Sequence, residues 1–139
     1  MTTTKPSVSY AMPLGGVTAY LHLDGATKAS AFYKMAFGAR EIAAHPVDEK
    51  GRTMHIHLDI NGSSVMLSDF YPEHGHDFKI PQGFMLHLEV DDVEAWWHRA
   101  LDAGAQVAMP LQDMFWGARY GIVRDPFGVS WSMGMPSGN

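Results

Sequence analysis

Apolar and polar positions along this chain follow two periods. Val17 to Leu23 alternates and is rich in β-formers, which predicts a strand, and Asp24-Gly25 ends it. Ala29, Phe32, Tyr33, Ala36 and Phe37 then keep the spacing of one buried helix face, and Gly38 stands where a helix C-terminus wants left-handed backbone. Three more strands are expected, over Arg40 to His45, Thr53 to Ile60 and Ser63 to Asp69, with Asn61-Gly62 as a two-residue primed turn joining the last two. Across that turn Ile60 faces Ser63. Alternation therefore puts Met54, Ile56, Leu58, Ile60, Val65 and Leu67 under the helix, and His55, His57, Asp59, Ser64, Met66 and Ser68 on the opposite face.

The pattern then repeats. Phe84 to Val90 reads as a strand, Asp91 or Asp92 as a helix N-cap, and Val93, Trp96, Trp97, Ala100 and Leu101 as an apolar helix face ending at Ala103-Gly104-Ala105. Strands over Gln106 to Met109, Arg119 to Arg124 and Val129 to Gly134 follow, with Asp125-Pro126-Phe127-Gly128 as the last turn. Superposing Phe32-Tyr33 on Trp96-Trp97 and Gly38-Ala39 on Gly104-Ala105 gives a period of about 65 residues, the mark of a repeated unit. The expected fold is α+β: two tandem βαβββ modules, about residues 17–70 and 84–134, joined by a linker over 71–83 in one domain spanning 1–139. A sheet covered by a helix on one face leaves the other open, so two such sheets should curve around a central pocket.

Composition narrows the function classes. Apolar residues make up 46% and charged residues 18%, and no run approaches the roughly 20 apolar residues of a membrane span, so membrane insertion is not expected. Residues 1–13 lack an apolar core or a basic amphipathic pattern and read as a loose arm rather than a targeting segment. There is no cysteine, which removes disulfides and thiolate chemistry and makes the cytoplasm the default location. A net charge of −5 without a basic cluster disfavours nucleic acid. No nucleophile elbow, P-loop or dinucleotide fingerprint is present.

Several strings carry a family resemblance: Tyr20-Leu21-x-Leu23-Asp24-Gly25, Phe32-Tyr33 with Phe37-Gly38-Ala39, Met66-Leu67-Ser68-Asp69, Asp125-Pro126-Phe127-Gly128 and Phe115-Trp116-Gly117-x-Arg119-Tyr120-Gly121. Over residues 17–134 the chain resembles the vicinal-oxygen-chelate superfamily of glyoxalases, bleomycin-resistance proteins and extradiol dioxygenases, and within it the PhnB-like branch. The resemblance implies a homodimer and a pocket used either by metal-dependent enzymes or by metal-free binders. In metal-dependent members each module gives one ligand from its first strand and one from its last. The equivalent positions here are Thr18, Met66, Met85 and Ser132, which are not a ligand set for zinc or a hard cation, so the family metal is not expected.

The pocket face should carry Tyr20 and His22 from the first strand, His55 and His57 from the third, and His87 and Glu89 from the fifth. Trp116 or Tyr120 can stack on a ligand and Arg119 can hold a carboxylate or phosphonate; alternatively Trp116 plugs a core or dimer seam and Arg119 pairs with Asp113 or Asp125. His45, His74, His76 and His98 are assigned to the rim, and Trp131, Trp96 and Trp97 to the core. Three readings stay open. The leading one is a small-molecule binder without cofactor. The second is a metal-dependent lyase, isomerase or dioxygenase, with His55, His57, His87 and Glu89 as a divalent-metal set outside the family pattern, or with Glu89 as general base. The third is an interaction module whose vestigial pocket is filled by Met66, Met85 and Met114.

Overall fold

The computed structural model describes residues 10–138; of the N-terminal arm, residues 1–9 lie outside that range. The first module contains β1 (Ala19–His22), α1 (Ala26–Phe37), β2 (Arg40–Ala44), β3 (Ile56–Ile60) and β4 (Ser63–Ser68). The second contains β5 (Leu86–Glu89), α2 (Val93–Ala103), β6 (Gln106–Asp113), β7 (Ala118–Arg124) and β8 (Ser130–Pro136). Each module forms its own four-stranded mixed sheet, in the orders β1-β4-β3-β2 and β5-β8-β7-β6, with the first and last strands parallel.

The β3–β4 hairpin has the expected register. Ile60 pairs Ser63, Leu58 pairs Val65 and Ile56 pairs Leu67, and Asn61 and Gly62 both take positive φ, 52° and 85°, as the primed turn demands. Ile56, Leu58, Ile60, Val65 and Leu67 join the core beneath α1. Met54 does not: it is 53% exposed, because β3 begins only at Ile56. The residues before it are drawn aside by Asp69, whose Oδ2 accepts from Thr53 N at 2.8 Å while Asp69 N donates to Thr53 O.

Asp69 also supplies what α1 lacks locally. Its Oδ1 accepts from Gly25 N and Ala26 N at 2.9 and 3.0 Å, so a carboxylate just past the end of β4, the strand beside β1, satisfies free N–H groups at the positive end of the helix. In the second module Asp92 caps α2 conventionally, accepting from Ala95 N. β6 is longer than expected, running to Asp113. Pro110 within it would interrupt a central strand, but β6 is the edge of its sheet and carries two register shifts, where proline is tolerated.

One apolar core spans both modules, and the helices link them. α1 and α2 pack together, with Arg99 Nε donating to Met35 O at 2.7 Å. The Phe37 and Trp131 rings lie 4.6 Å apart, and Tyr33 donates to Asp125 Oδ2 at 2.5 Å. Asp125 is buried and accepts three further bonds, from Trp131 Nε1, Phe127 N and Val129 N. Burial first, then the Asp125 charge, pushes the Tyr33 hydroxyl well above the usual phenol range. Across the seam between the sheets, Asn61 Nδ2 donates to Glu89 O, and a cavity of ≈ 190 Å³ is lined from both sides, by Ser64, Val65, His87 and Trp131 among others.

Candidate functional site

The face of the first sheet away from α1 carries the expected imidazoles, in two environments. His57 is buried, with Nε2 2.7 Å from Ser64 Oγ, and its Nδ1 has no partner among the described residues. Leu14 N donates to the same Ser64 Oγ at 2.8 Å, so the chain before β1 lies against this part of the sheet. His55 is half-buried. Its Nδ1 lies 2.8 Å from the Tyr20 hydroxyl, which donates to Met54 O at 3.1 Å; both bonds are satisfied when Nδ1 carries the proton. His45, assigned to the rim from sequence, instead sits against the His55 ring, with centroids 5.1 Å apart. Burial, then the neighbouring His45 and His57, lowers the His55 pKa.

On the second sheet His87 is the centre of a hydrogen-bonded chain. Nδ1 lies 2.8 Å from Ser132 Oγ, on the adjacent parallel strand in the same register, and Nε2 lies 2.9 Å from Glu89 Oε1, two residues on along β5 and hence on the same face. The His87 and Tyr120 rings stack at 6.0 Å, and Trp116 meets Tyr120 edge-on at 5.6 Å. Arg119 does not join them. It alternates to the other side of β7 and is held by Glu94 of α2 and by Asp113 at 3.2 Å, the pairing that sequence left as the alternative to ligand recognition.

The cavity that best fits a ligand was not foreseen. It measures ≈ 390 Å³ and lies between β1 and the segment joining the modules, lined by Tyr20, Leu21, His22 and Leu23 on one side and by Phe70, His76, Lys79, Ile80 and Phe84 among those opposite. Preformed small-molecule sites start near this size. The joining segment was expected to have little structure, yet it forms a 3-10 turn at Pro72–His74 and a bridge between Tyr71 and His76. Arg52 anchors it. The guanidinium donates to both Glu73 oxygens, at 3.0 and 2.6 Å, also binds Asp48, and lies 4.4 Å over the Tyr71 ring. That bond holds the Glu73 carboxyl at about 2. The one sequence signal for this wall was the run of aromatic residues and histidines between the modules; its proline and glycine content masked it.

The donor set does not suit a divalent cation. Among the described residues no three His, Asp or Glu side chains converge, so His55, His57, His87 and Glu89 do not assemble as one group. His57 Nε2 and both His87 nitrogens are engaged within the chain, and Ser132, at a family ligand position, is bound to His87. Met85 is exposed and neither Met66, Met85 nor Met114 lines the β1 cavity, so methionine does not fill it.

The sequence model described as Glyoxalase/Bleomycin resistance protein/Dioxygenase superfamily matches residues 22–133. The chain belongs to this superfamily. An uncharacterized protein of Mycobacterium bovis is 43% identical over 123 residues, covering 84% of this chain and 80% of that protein. Protein YjdN of Escherichia coli is 31% identical over 114 residues, covering 74% and 76%. Among solved structures, protein PA1353 from Pseudomonas aeruginosa superposes with a TM-score of 0.71 at 29% identity, covering 86% of this chain and 96% of that one. A PhnB protein from Bacillus cereus superposes at 0.70 with 24% identity over 87% and 99%, which shows the shared fold. No helix among the described residues is long and apolar enough to cross a membrane.

Proposed function

We propose that this superfamily member binds a small organic molecule without a metal, in the cavity between β1 and the linker, and that it works as a homodimer. The observation that carries the reading is the cavity: ≈ 390 Å³, bounded mainly by apolar side chains, with His22, His76, Asp77 and Lys79 as the few groups able to orient a ligand. The rigid backing of that cavity supports it, since Arg52, Glu73 and the Tyr71–His76 bridge fix the wall before any ligand arrives. His87, Glu89, Tyr120 and Trp116 form a separate polar and aromatic patch on the second sheet, which we assign to a contact with the second copy or with a ligand it shares. Glu89 is the carboxylate there best placed to take a proton, since His87 orients it while leaving Oε2 without a partner among the described residues.

The test is elemental analysis of the untagged protein, followed by thermal unfolding against a small-molecule set with and without chelator. Ligands that bind the native state raise the melting temperature in proportion to RT ln(1 + [L]/Kd). Far less than one metal per chain is expected, with ligand-induced shifts that a chelator leaves intact and that Phe84→Ala removes. One metal per chain with chelator-sensitive turnover would replace this reading with the metal-dependent enzyme. Ligand shifts untouched by Phe84→Ala would move the site elsewhere.

A further inference from the structure

The proposed cavity also carries information about what it would hold, and this step rests on the reading above. Its walls are of two kinds. Phe70, Phe84, Ile80, Pro81, Leu21 and Leu23 offer flat and branched apolar surface, suited to a ring rather than a flexible polar chain. The polar lining is dominated by groups that can carry positive charge: His22 and His76, whose rings meet edge-on at 5.8 Å, and the Lys79 ammonium, against one carboxylate, Asp77.

Lys79 is the informative member. Lys34, Arg40, Arg52 and Arg119 each find a carboxylate within 4 Å, whereas Lys28, Lys50, Lys79, Arg99 and Arg124 form no ion pair among the described residues; of these last, Lys79 is the one that lines the cavity. It forms none although Asp77 stands two positions away in the chain. His22 and His76 likewise make no side-chain hydrogen bond among the described residues, in contrast to His55, His57 and His87, which are all engaged. An ammonium and two imidazoles left without partners at the edge of an apolar slot match a ligand whose body is apolar and whose end is an anion.

We infer that the cavity takes a planar aromatic carboxylate: the ring enters between Phe70 and Phe84, and the carboxylate meets Lys79 and His76 at the linker side, with His22 closing over the ring edge. Nothing in the arrangement offers a second strong anion site, so a monoanion fits better than a phosphate ester carrying two charges. The Arg52 clamp on Glu73 holds the segment from which His76 and Lys79 project, so selectivity for the anion is built into the linker and not into the strands.

The experiment is calorimetric titration of the full-length protein with 2-naphthoate and with the uncharged 2-naphthamide, at low and high salt, in the native chain and in Lys79→Met and Phe84→Ala variants. The native chain is expected to prefer the carboxylate by about fivefold or more, the preference shrinking in high salt, as an ion pair at a partly exposed site implies. Lys79→Met should bring the two ligands level. Equal binding of both ligands by the native chain, lost in Phe84→Ala, would overturn the anion inference and leave the cavity reading standing. No binding of either, with other small molecules still raising the melting temperature in a Phe84-dependent way, would overturn the aromatic class alone. Failure of every ligand in the wider set would overturn both readings together.

Discussion

At the scale of single residues, the polar groups on the open faces are organised by their neighbours more than by sequence position. His55 shows what this does to chemistry. Burial and the adjacent His45 and His57 hold its pKa below the ordinary 6.5, so protonation costs more in the folded chain than in the unfolded one. The unfolded state therefore binds the extra proton first as pH falls. Stability is insensitive to this residue above about pH 6.5 and declines below it, until the lower folded value is passed. His55→Gln keeps a polar group beside Tyr20 and cannot titrate, so its urea midpoint should fall less between about pH 7.5 and pH 5.5 than that of the native chain. An equal or steeper fall in the variant would show that His55 does not carry the acid sensitivity. Tyr20 gives a second readout of the loss of His55, since burial raises its hydroxyl pKa and His55 is the side chain hydrogen-bonded to that hydroxyl.

At the scale of elements, α2 sits on the second sheet through one close approach. A Cβ added at Gly121 would lie 2.6 Å from Trp97 Cζ3 and 3.0 Å from Leu111 Cα. The φ of Gly121 is not positive, so the constraint is space and not backbone conformation. The Trp97 ring is buried and the backbone of β6 has little room to yield, so Gly121→Ala should destabilise the fold by about 1–3 kcal/mol, read by chemical denaturation, with the loss falling on the second module in hydrogen exchange. Trp97→Leu in the same background should restore part of it; no recovery would place the strain on Leu111. This scale also separates what the sequence disclosed from what it hid. Alternation in Ile56 to Leu67 and helical spacing in Phe32 to Phe37 place their residues because one buried face repeats at a fixed period. Asp69 capping α1, Tyr33 donating to Asp125, and Arg52 clamping Glu73 are bonds between residues 21 to 92 positions apart, with no period to betray them. The β1 cavity escaped for the same reason, because half of its wall comes from a segment whose prolines and glycines resemble any loop.

For the molecule as a whole, the unanswered question on the surface is what covers its apolar area. Phe115 is 97% exposed and Trp116 53%, both at the tip of the β6–β7 hairpin, where Gly117 N donates to Met114 O and Ser137 N to Gly117 O hold the turn in shape. Val17, two residues before β1, is 96% exposed, and Tyr10, Met12 and Met85 are also open. Large aromatic side chains held rigidly in water are costly unless something receives them, and aromatic residues are enriched at the centres of interfaces. The polar chain of Ser132, His87 and Glu89, with Tyr120 stacked on it, lies beside this hairpin and is itself uncovered by any helix. A second copy received on the hairpin tip would bury the Phe115 and Trp116 rings, and two identical chains most commonly close with two-fold symmetry. Light scattering should therefore give twice the chain mass at micromolar concentration, and the double variant Phe115→Ser with Trp116→Ser should shift the mass toward the monomer while circular dichroism stays native. If the native chain scatters as a monomer at high concentration, the aromatic hairpin belongs to a ligand site instead, and naphthoate or another aromatic probe should then quench Trp116 directly. If it dimerises and the double variant dimerises equally well, the copies meet through the face around Val17 and Met12, and substitutions there become the ones that separate them.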